Sequence, residues 1–257
     1  MKFFGLIPAG GIGSRLGNIP CSKEVYPVIR KTENGIERSV ICENLIRYYR
    51  LAGITEILCI LRQGKWDIPA YLRDGAELGV NIAYLVMTHP YGTPFTLDQA
   101  YPFVKGHGVA LGFPDMVCTP EDHFGGLKEK LIQTDADVVL GVIKTSKYKS
   151  WDMLSFDGDV LTDIVIKEDR PDLTYGWAFA VWGPAFTEFL HSQVSQRLAD
   201  NNVQGSRADG TARELYIGDI VRAAMKEGLH VDYVKFDDGT ARDMGTPGEL
   251  VEYLSQE

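Results

Sequence analysis

Short apolar runs alternate with longer amphipathic stretches through the first 145 residues. Residues 3–7, 56–61, 81–87, 108–113 and 136–144 are rich in Val, Ile, Leu and Phe and read as buried strands. Between the first two, residues 39–52 place Val40, Ile41, Leu45, Ile46 and Tyr49 at roughly helical spacing, and Gly53 stands where a helix would stop. Residues 66–78 read as a helix weakened by Pro69 and Gly75, and 96–104 and 126–133 as two more. This βαβαβαβ alternation predicts a parallel sheet covered on both faces.

The pattern changes afterwards. Residues 153–156 and 160–167 flank Asp157-Gly158, a hairpin signal. A strand over 175–182 follows, then a helix over 184–200 whose Pro184 suits a first turn. Residues 201–213 are polar and contain glycine, and read as a mobile loop. Gly228 closes a helix over 216–227, and 230–236 is a strand. Thr246-Pro247-Gly248-Glu249 carries a capping box that opens a last helix, to 255. No internal repeat and no linker divides the chain, so a single α/β domain with a central, mostly parallel (mixed) sheet flanked by helices is expected over 1–257.

Composition narrows the class. The chain has 257 residues, 45% hydrophobic and 24% charged, ordinary for a globular protein. A formal net charge of −9 argues against a broad nucleic-acid surface. It still allows a nucleotide site built from local cations and Mg²⁺. No apolar run approaches the roughly 20 residues that span a bilayer, so no membrane partner is expected. The opening strand runs straight into a glycine stretch and does not read as a signal peptide. Cys21, Cys42, Cys59 and Cys118 show no metal-type spacing and read as free thiols of a cytoplasmic protein.

Candidate chemistry begins where the first strand ends, at Pro8-Ala9-Gly10-Gly11-Ile12-Gly13-Ser14-Arg15-Leu16. Glycines let backbone N–H groups wrap an anion, and Arg15 and Lys23 add positive charge nearby. The stretch is not the dinucleotide fingerprint, because Leu16 stands where the third glycine belongs, and it lacks the Gly-Lys-Ser/Thr ending of a P-loop. What remains is a polyphosphate site of another kind.

That pattern, A-G-G-x-G-x-R-L followed by Lys23 and Pro27-Val28, resembles the signature loop of the sugar-nucleotide pyrophosphorylases, nucleotidyltransferases of the glucose-1-phosphate thymidylyl- and uridylyltransferase type. The resemblance implies a Rossmann-like, GT-A-like nucleotidyltransferase fold. In it Ala9, Gly10, Gly11, Gly13 and Ser14 would bind the nucleotide, and Arg15 and Lys23 would contact its triphosphate. His89-Pro90-Tyr91-Gly92-Thr93 is similar to the P-x-G-T loop of the base and ribose; His89 stands where many relatives have Gln, so His89, Gly92 and Thr93 are candidates there. Gly112-Phe113-Pro114-Asp115 matches L-G-D with a shift, and Asp243-Met244-Gly245-Thr246-Pro247 matches D-x-G-T-P. By the same resemblance Asp115 and Asp243 would hold Mg²⁺.

On the acceptor side Lys167 aligns with the lysine of E-K-P, with Ile166 in place of the glutamate; Arg170-Pro171 is a competing alignment. Tyr175-Gly176-Trp177 matches T-G-x-Y, and Trp151-Asp152 falls where many relatives have Tyr-Gly. Trp151, Lys167 and Gly176 are therefore the acceptor candidates. Glu214 to Ile220 looks like the family's E-L-x-I-T-D-x-I helix entrance and reads as structural.

The implied reaction transfers a nucleotidyl group from an NTP to a sugar 1-phosphate, giving an NDP-sugar and pyrophosphate. Residues 1–145 would form the nucleotide half and 146–257 the sugar-phosphate half. Its partners would be an NTP and a phosphorylated sugar, with a homo-oligomer left open. The residues leave the NTP and the sugar open as well. They also leave a non-sugar acceptor (an alditol or choline phosphate) and a non-catalytic nucleotide-sensing homologue. An NAD oxidoreductase is disfavoured by the missing glycine.

Overall fold

The computed structural model of this chain describes residues 1–11, 16–17, 19–32, 35–87, 91–206 and 210–256. Four strands from the first half lie side by side and parallel: β1 (Phe3–Ala9), β4 (Glu56–Arg62), β5 (Asn81–Met87) and β6 (Gly108–Leu111). The register runs Gly5↔Ile57 on one side of β1 and Gly5↔Ala110 on the other. The next strand of the expected series, β8 (Val138–Lys144), is not a neighbour of β6. The antiparallel strand β11 (Tyr175–Trp182) stands between them, bonded to both, and β14 (Val231–Phe236) pairs parallel on the far side of β8. The sheet is therefore mixed. Apolar runs identify strands, but they do not say which strands pair.

The split in this sheet positions the site. The end of β11 at Ala180–Trp182 pairs with β6, whereas its start, Tyr175 and Gly176, pairs with β9 (Asp152–Asp157). The hairpin partner of β9 is β10 (Val160–Ile166), as the Asp157-Gly158 signal predicts. A crevice opens where β6 ends and β9 has not begun, at the carboxyl ends of the parallel strands, the usual ligand position in α/β sheets.

Helices cover both faces. On one, α1 (Ile41–Leu51), α2 (Asp67–Leu72) and α5 (His123–Thr134) bury Leu45, Tyr49, Ile68, Phe124 and Leu127. On the other, α3 (Thr93–Asp98), α4 (Tyr101–Val104), α6 (Pro184–Ala199) and α7 (Ile217–Lys226) bury Phe95, Leu97, Phe186, Leu190 and Ile220. The last helix, α8 (Pro247–Gln256), caps a smaller cluster with Leu16, Val28 and Met244.

Several elements differ from expectation for local reasons. The helix expected over 39–52 starts at Ile41, because β2 (Pro27–Thr32) and β3 (Gly35–Val40) form a hairpin before it. Residues 35–38 of β3 are exposed, so no buried face marked it in the sequence. The stretch 66–78 breaks at Arg73 (φ 51°) and Gly75 (φ 83°), leaving only a 3₁₀ turn at Ala76–Leu78. The stretch 96–104 splits into α3 and α4 because Pro102, lacking an N–H, can only stand in a first turn. Part of the expected loop 201–213 is a short antiparallel pair, β12 (Gln204–Ser206) with β13 (Ala212–Glu214). The capping box before α8 is half made. The Glu249 N–H reaches Thr246 Oγ1, but the Glu249 carboxylate pairs with Lys147 instead.

Two further strands matter most for the site. β7 (Met116–Thr119) and β15 (Thr240–Asp243) pair antiparallel, with Met116 opposite Asp243. Each is only four residues long, too short to register as a strand in the sequence.

Candidate active site

The backbone of β1 hands Pro8, Gly10 and Gly11 to the mouth of the crevice. Tyr49, fully buried on α1, fixes this end of the sheet. Its hydroxyl donates to the Leu6 carbonyl (2.6 Å) and accepts the Gly112 N–H (2.8 Å), tying β1 to the segment that leaves β6. Gly10 packs closely enough that a Cβ there would lie 2.8 Å from Met87 Sδ, so any larger residue would have to displace the Met87 side chain.

Lys23 opens a 3₁₀ turn (Lys23–Val25), and both its neighbours are tethered to the segment between β4 and the start of α2. Ser22 gives its N–H to Asp67 Oδ2 (2.6 Å) and its hydroxyl to Asp67 Oδ1 (2.8 Å). Glu24, 1% exposed, pairs with Lys65 at 2.7 Å. Held this way, the Lys23 ammonium forms an ion pair with Asp115. Burial alone would lower the Lys23 pKa. Asp115, with help from Glu24 and Asp243, outweighs it and holds the ammonium above the ordinary lysine value.

The β7–β15 pairing brings the two aspartates together. The Met244 N–H donates to the Asp115 carbonyl at 2.7 Å, and the Gly245 N–H donates to Asp243 Oδ1 at 2.7 Å. Asp115 and Asp243 line one cleft with Lys23. Mg²⁺ prefers oxygen ligands and commonly takes one or two carboxylates, with phosphate and water completing its shell. The pair fits that pattern. Among the described residues no cluster of three or more His, Cys, Asp or Glu side chains forms a protein-only metal cage.

The same cleft, about 370 Å³, takes in Gly10, Gly11, Gly92, Thr93, Trp151 and Lys167. Gly92 (φ 130°) bridges to Leu215, and any side chain there would overlap the Leu215 carbonyl. That bridge brings Glu214, Tyr216 and Ile217 to the cleft wall. Lys167 follows β10 with φ 49°, a strained left-handed backbone for a lysine, and its Nζ lies 3.4 Å from the centre of the Tyr216 ring. Arg170, the competing cation, is absent from the lining and makes a two-point pair with Asp172 at the surface.

Not every sequence candidate opens onto the cleft. Ala9 is fully buried at the end of β1, and Gly176 makes room for Trp151, whose ring lies 2.9 Å from where a Cβ would be. Gly13, Ser14, Arg15 and His89 lie outside the described residues. The structure gives a place at the site to residues that the sequence left without a site role: Asp152, Glu214, Tyr216 and Trp177 on the acceptor side, and Asp67 and Lys65 behind Lys23. A charged residue beside a tryptophan at the head of an apolar strand was the available signal for Asp152.

Comparison with known proteins agrees with this architecture. The nucleotidyl transferase family matches residues 4–256. A glucose-1-phosphate thymidylyltransferase of Xanthomonas campestris is 30% identical over 269 aligned positions, covering 97% of this chain and 81% of the relative. A low-salt glycan biosynthesis nucleotidyltransferase of Haloferax volcanii is 24% identical over 254 positions; the alignment covers 96% of this chain but only 64% of that longer protein. Among solved structures, a candidate glucose-1-phosphate thymidylyltransferase from Bacillus anthracis, crystallised with sucrose, superposes with a TM-score of 0.81 at 20% identity, covering 99% of this chain and 95% of the other. Among the described residues no helix is long and apolar enough to cross a membrane.

Proposed function

The chain belongs to the nucleotidyltransferase family, and on that premise we propose that it transfers a nucleotidyl group from an NTP to a sugar 1-phosphate, releasing pyrophosphate. The observation that carries the reading is a single cleft that holds Lys23, Asp115 and Asp243 together with Lys167. A cation and two carboxylates serve a nucleotide triphosphate. A second cation, from the other half of the chain, serves an acceptor phosphate. Residues 1–145 act as the nucleotide half, completed by Asp243, and the rest of 146–257 as the acceptor half of one domain.

In this reaction an acceptor phosphate oxygen attacks the α-phosphorus. The new P–O bond forms as the bond to the β-phosphate breaks, and pyrophosphate leaves with that electron pair. The protein needs no covalent nucleophile; its work is alignment and charge neutralisation. The glycine loop cradles phosphate oxygens, and Lys23 stabilises charge on the departing pyrophosphate. Lys167, held against Tyr216, keeps the attacking phosphate in line. Mg²⁺, when bound by Asp115 and Asp243, supplies further neutralisation of phosphate charge.

The test is pyrophosphate release with Mg²⁺ across a matrix of NTPs and phosphorylated sugars and alditols. The first pair is dTTP with glucose 1-phosphate, named by the Xanthomonas relative. Release that needs both an NTP and a sugar 1-phosphate supports the proposal. Turnover confined to alditol or choline phosphates would replace the acceptor, and nucleotide binding without release would make the chain a sensor.

A further inference from the structure

Asp152 opens β9 at the cleft wall and is 8% exposed; Trp177, on β11 beside it, is 5% exposed. Among the described residues each keeps one buried polar atom without a hydrogen bond, Asp152 Oδ1 and Trp177 Nε1. The indole N–H lies near enough to favour the charged carboxylate, yet neither Oδ1 nor Nε1 is within a well-formed hydrogen bond. A buried acceptor and a buried donor left open side by side each carry the full penalty of lost hydration. Both line the space where the acceptor would lie.

The other carboxylate oxygen is given its place by a missing side chain. A Cβ at Gly218, in the first turn of α7, would overlap Asp152 Oδ2 and come within 2.9 Å of Ile166 Cδ1. The groups that face this carboxyl are Lys167 from the end of β10, Asp219 from α7, Arg213 from β13 and Trp177 from β11. Arg213 is already committed to Asp219, through two bonds of 2.6 Å. Lys167 lies on the Tyr216 ring. Burial pushes the Asp152 carboxyl up to about 6, against the pull of Lys167.

We propose that Asp152 and Trp177 together read one hydroxyl group of the acceptor sugar, which donates to Asp152 Oδ1 and accepts from Trp177 Nε1. A hydroxyl both donates and accepts, so one such group satisfies both open atoms. An ammonium would serve only the carboxylate and a carbonyl only the indole. The inference rests on the proposed sugar-phosphate transfer and adds to it the feature that selects the acceptor: a hydroxyl placed within reach of this pair when the phosphate is on Lys167. Asp152 and Trp177 are specificity determinants and take no part in bond making.

The test is a panel of single-deoxy and single-fluoro variants of the best acceptor phosphate, assayed by pyrophosphate release with wild type, Asp152→Ala and Trp177→Phe. A site built around a hydroxyl rejects the analogue lacking it strongly. Wild type is expected to lose about 10²-fold or more in kcat/KM at one deoxy position, and at the matching fluoro position, which cannot donate. Asp152→Ala and Trp177→Phe should each lose activity on the parent acceptor and show little further loss at that position. KM for the NTP should stay within about twofold in both. Gly218→Ala, which crowds Oδ2, should copy the loss in the wild-type background and add nothing to Asp152→Ala.

If wild type and both variants rank the panel alike, water alone satisfies the pair and the inference is overturned. If wild type turns over no sugar phosphate at all, the transfer reading fails and the inference falls with it. The two failures are thus distinct.

Discussion

Asp67 accepts both the N–H and the hydroxyl of Ser22, at 2.6 and 2.8 Å, and so fixes the backbone one residue before Lys23. Asp67 touches no phosphate in the proposed reaction; it acts through Lys23. Burial would raise its pKa, but the bonds from Ser22 outweigh that and hold it below the usual carboxylate value. The tether is therefore intact above the ordinary carboxylate range and is lost only as pH falls through the lowered pKa. Asp67→Ala should lower kcat by about 10- to 100-fold through misplacement of Lys23, with circular dichroism unchanged. Asp67→Glu should recover less than full activity, because the longer side chain cannot repeat both bonds. Wild-type kcat in Asp67→Ala would remove the positioning role.

Lys23 and Lys167 are assigned to different phosphates, and their variants should separate. Lys23→Ala should lower kcat by about 10²-fold, the scale for losing one preorganised charge donor. Lys167→Ala should act mainly on the acceptor, raising its KM while leaving the KM for NTP nearly unchanged. Arg170 lies outside the cleft lining, and Arg170→Ala should stay within about twofold of wild type, as expected of an exposed pair. Steady-state kinetics with each substrate varied decide the matter. A large loss in Arg170→Ala would move the acceptor phosphate away from Lys167.

The sequence carried the strands of the central sheet, most helices and the order of the motifs, because buried runs and glycine turns are local signals. It did not carry neighbour relations. Asp115 and Asp243 meet only because β7 and β15 pair, and these four-residue strands show no buried periodicity. The insertion of β11 between β6 and β8 was equally invisible, since an apolar run looks alike in parallel and antiparallel company. Lys167 and Arg170 were indistinguishable as letters; only the Tyr216 ring and Asp172 separate them. Asp152 stands in the sequence only as the neighbour of Trp151 in a motif match, and its burial is a tertiary fact.

Tyr49 offers a test of the scaffold apart from the chemistry. Its hydroxyl is the partner of the buried Gly112 N–H. Tyr49→Phe keeps the ring against Phe124 but leaves that N–H without its bond, which should cost about 1–3 kcal/mol in urea unfolding. Because Gly112 leads to Asp115, kcat should fall as well, by less than in Lys23→Ala. Unchanged stability would mean that water replaces the hydroxyl.

Asp152 should set a pH dependence of opposite sign to Asp67. Its folded pKa of about 6 lies above the ordinary 3.8, with burial as the main cause and Lys167 acting against it. The folded state thus binds the proton more tightly than the unfolded chain does. The stability this group contributes is complete below about pH 4 and is lost as pH rises through about 6. The span corresponds to about 3 kcal/mol at 1.36 kcal/mol per pH unit. Asp152→Asn cannot ionise, so its stability relative to wild type should rise across pH 4–7 and level off above. Other carboxylates, Asp67 and Asp163 among them, are lowered and give the opposite slope, but they cancel in the difference between the two proteins. A gain in stability paired with a loss of acceptor discrimination would mark Asp152 as a group kept for function at a cost to the fold. A difference that stays flat with pH would mean that the carboxyl is solvated in the folded protein, and the case for a buried hydroxyl reader would lose its footing.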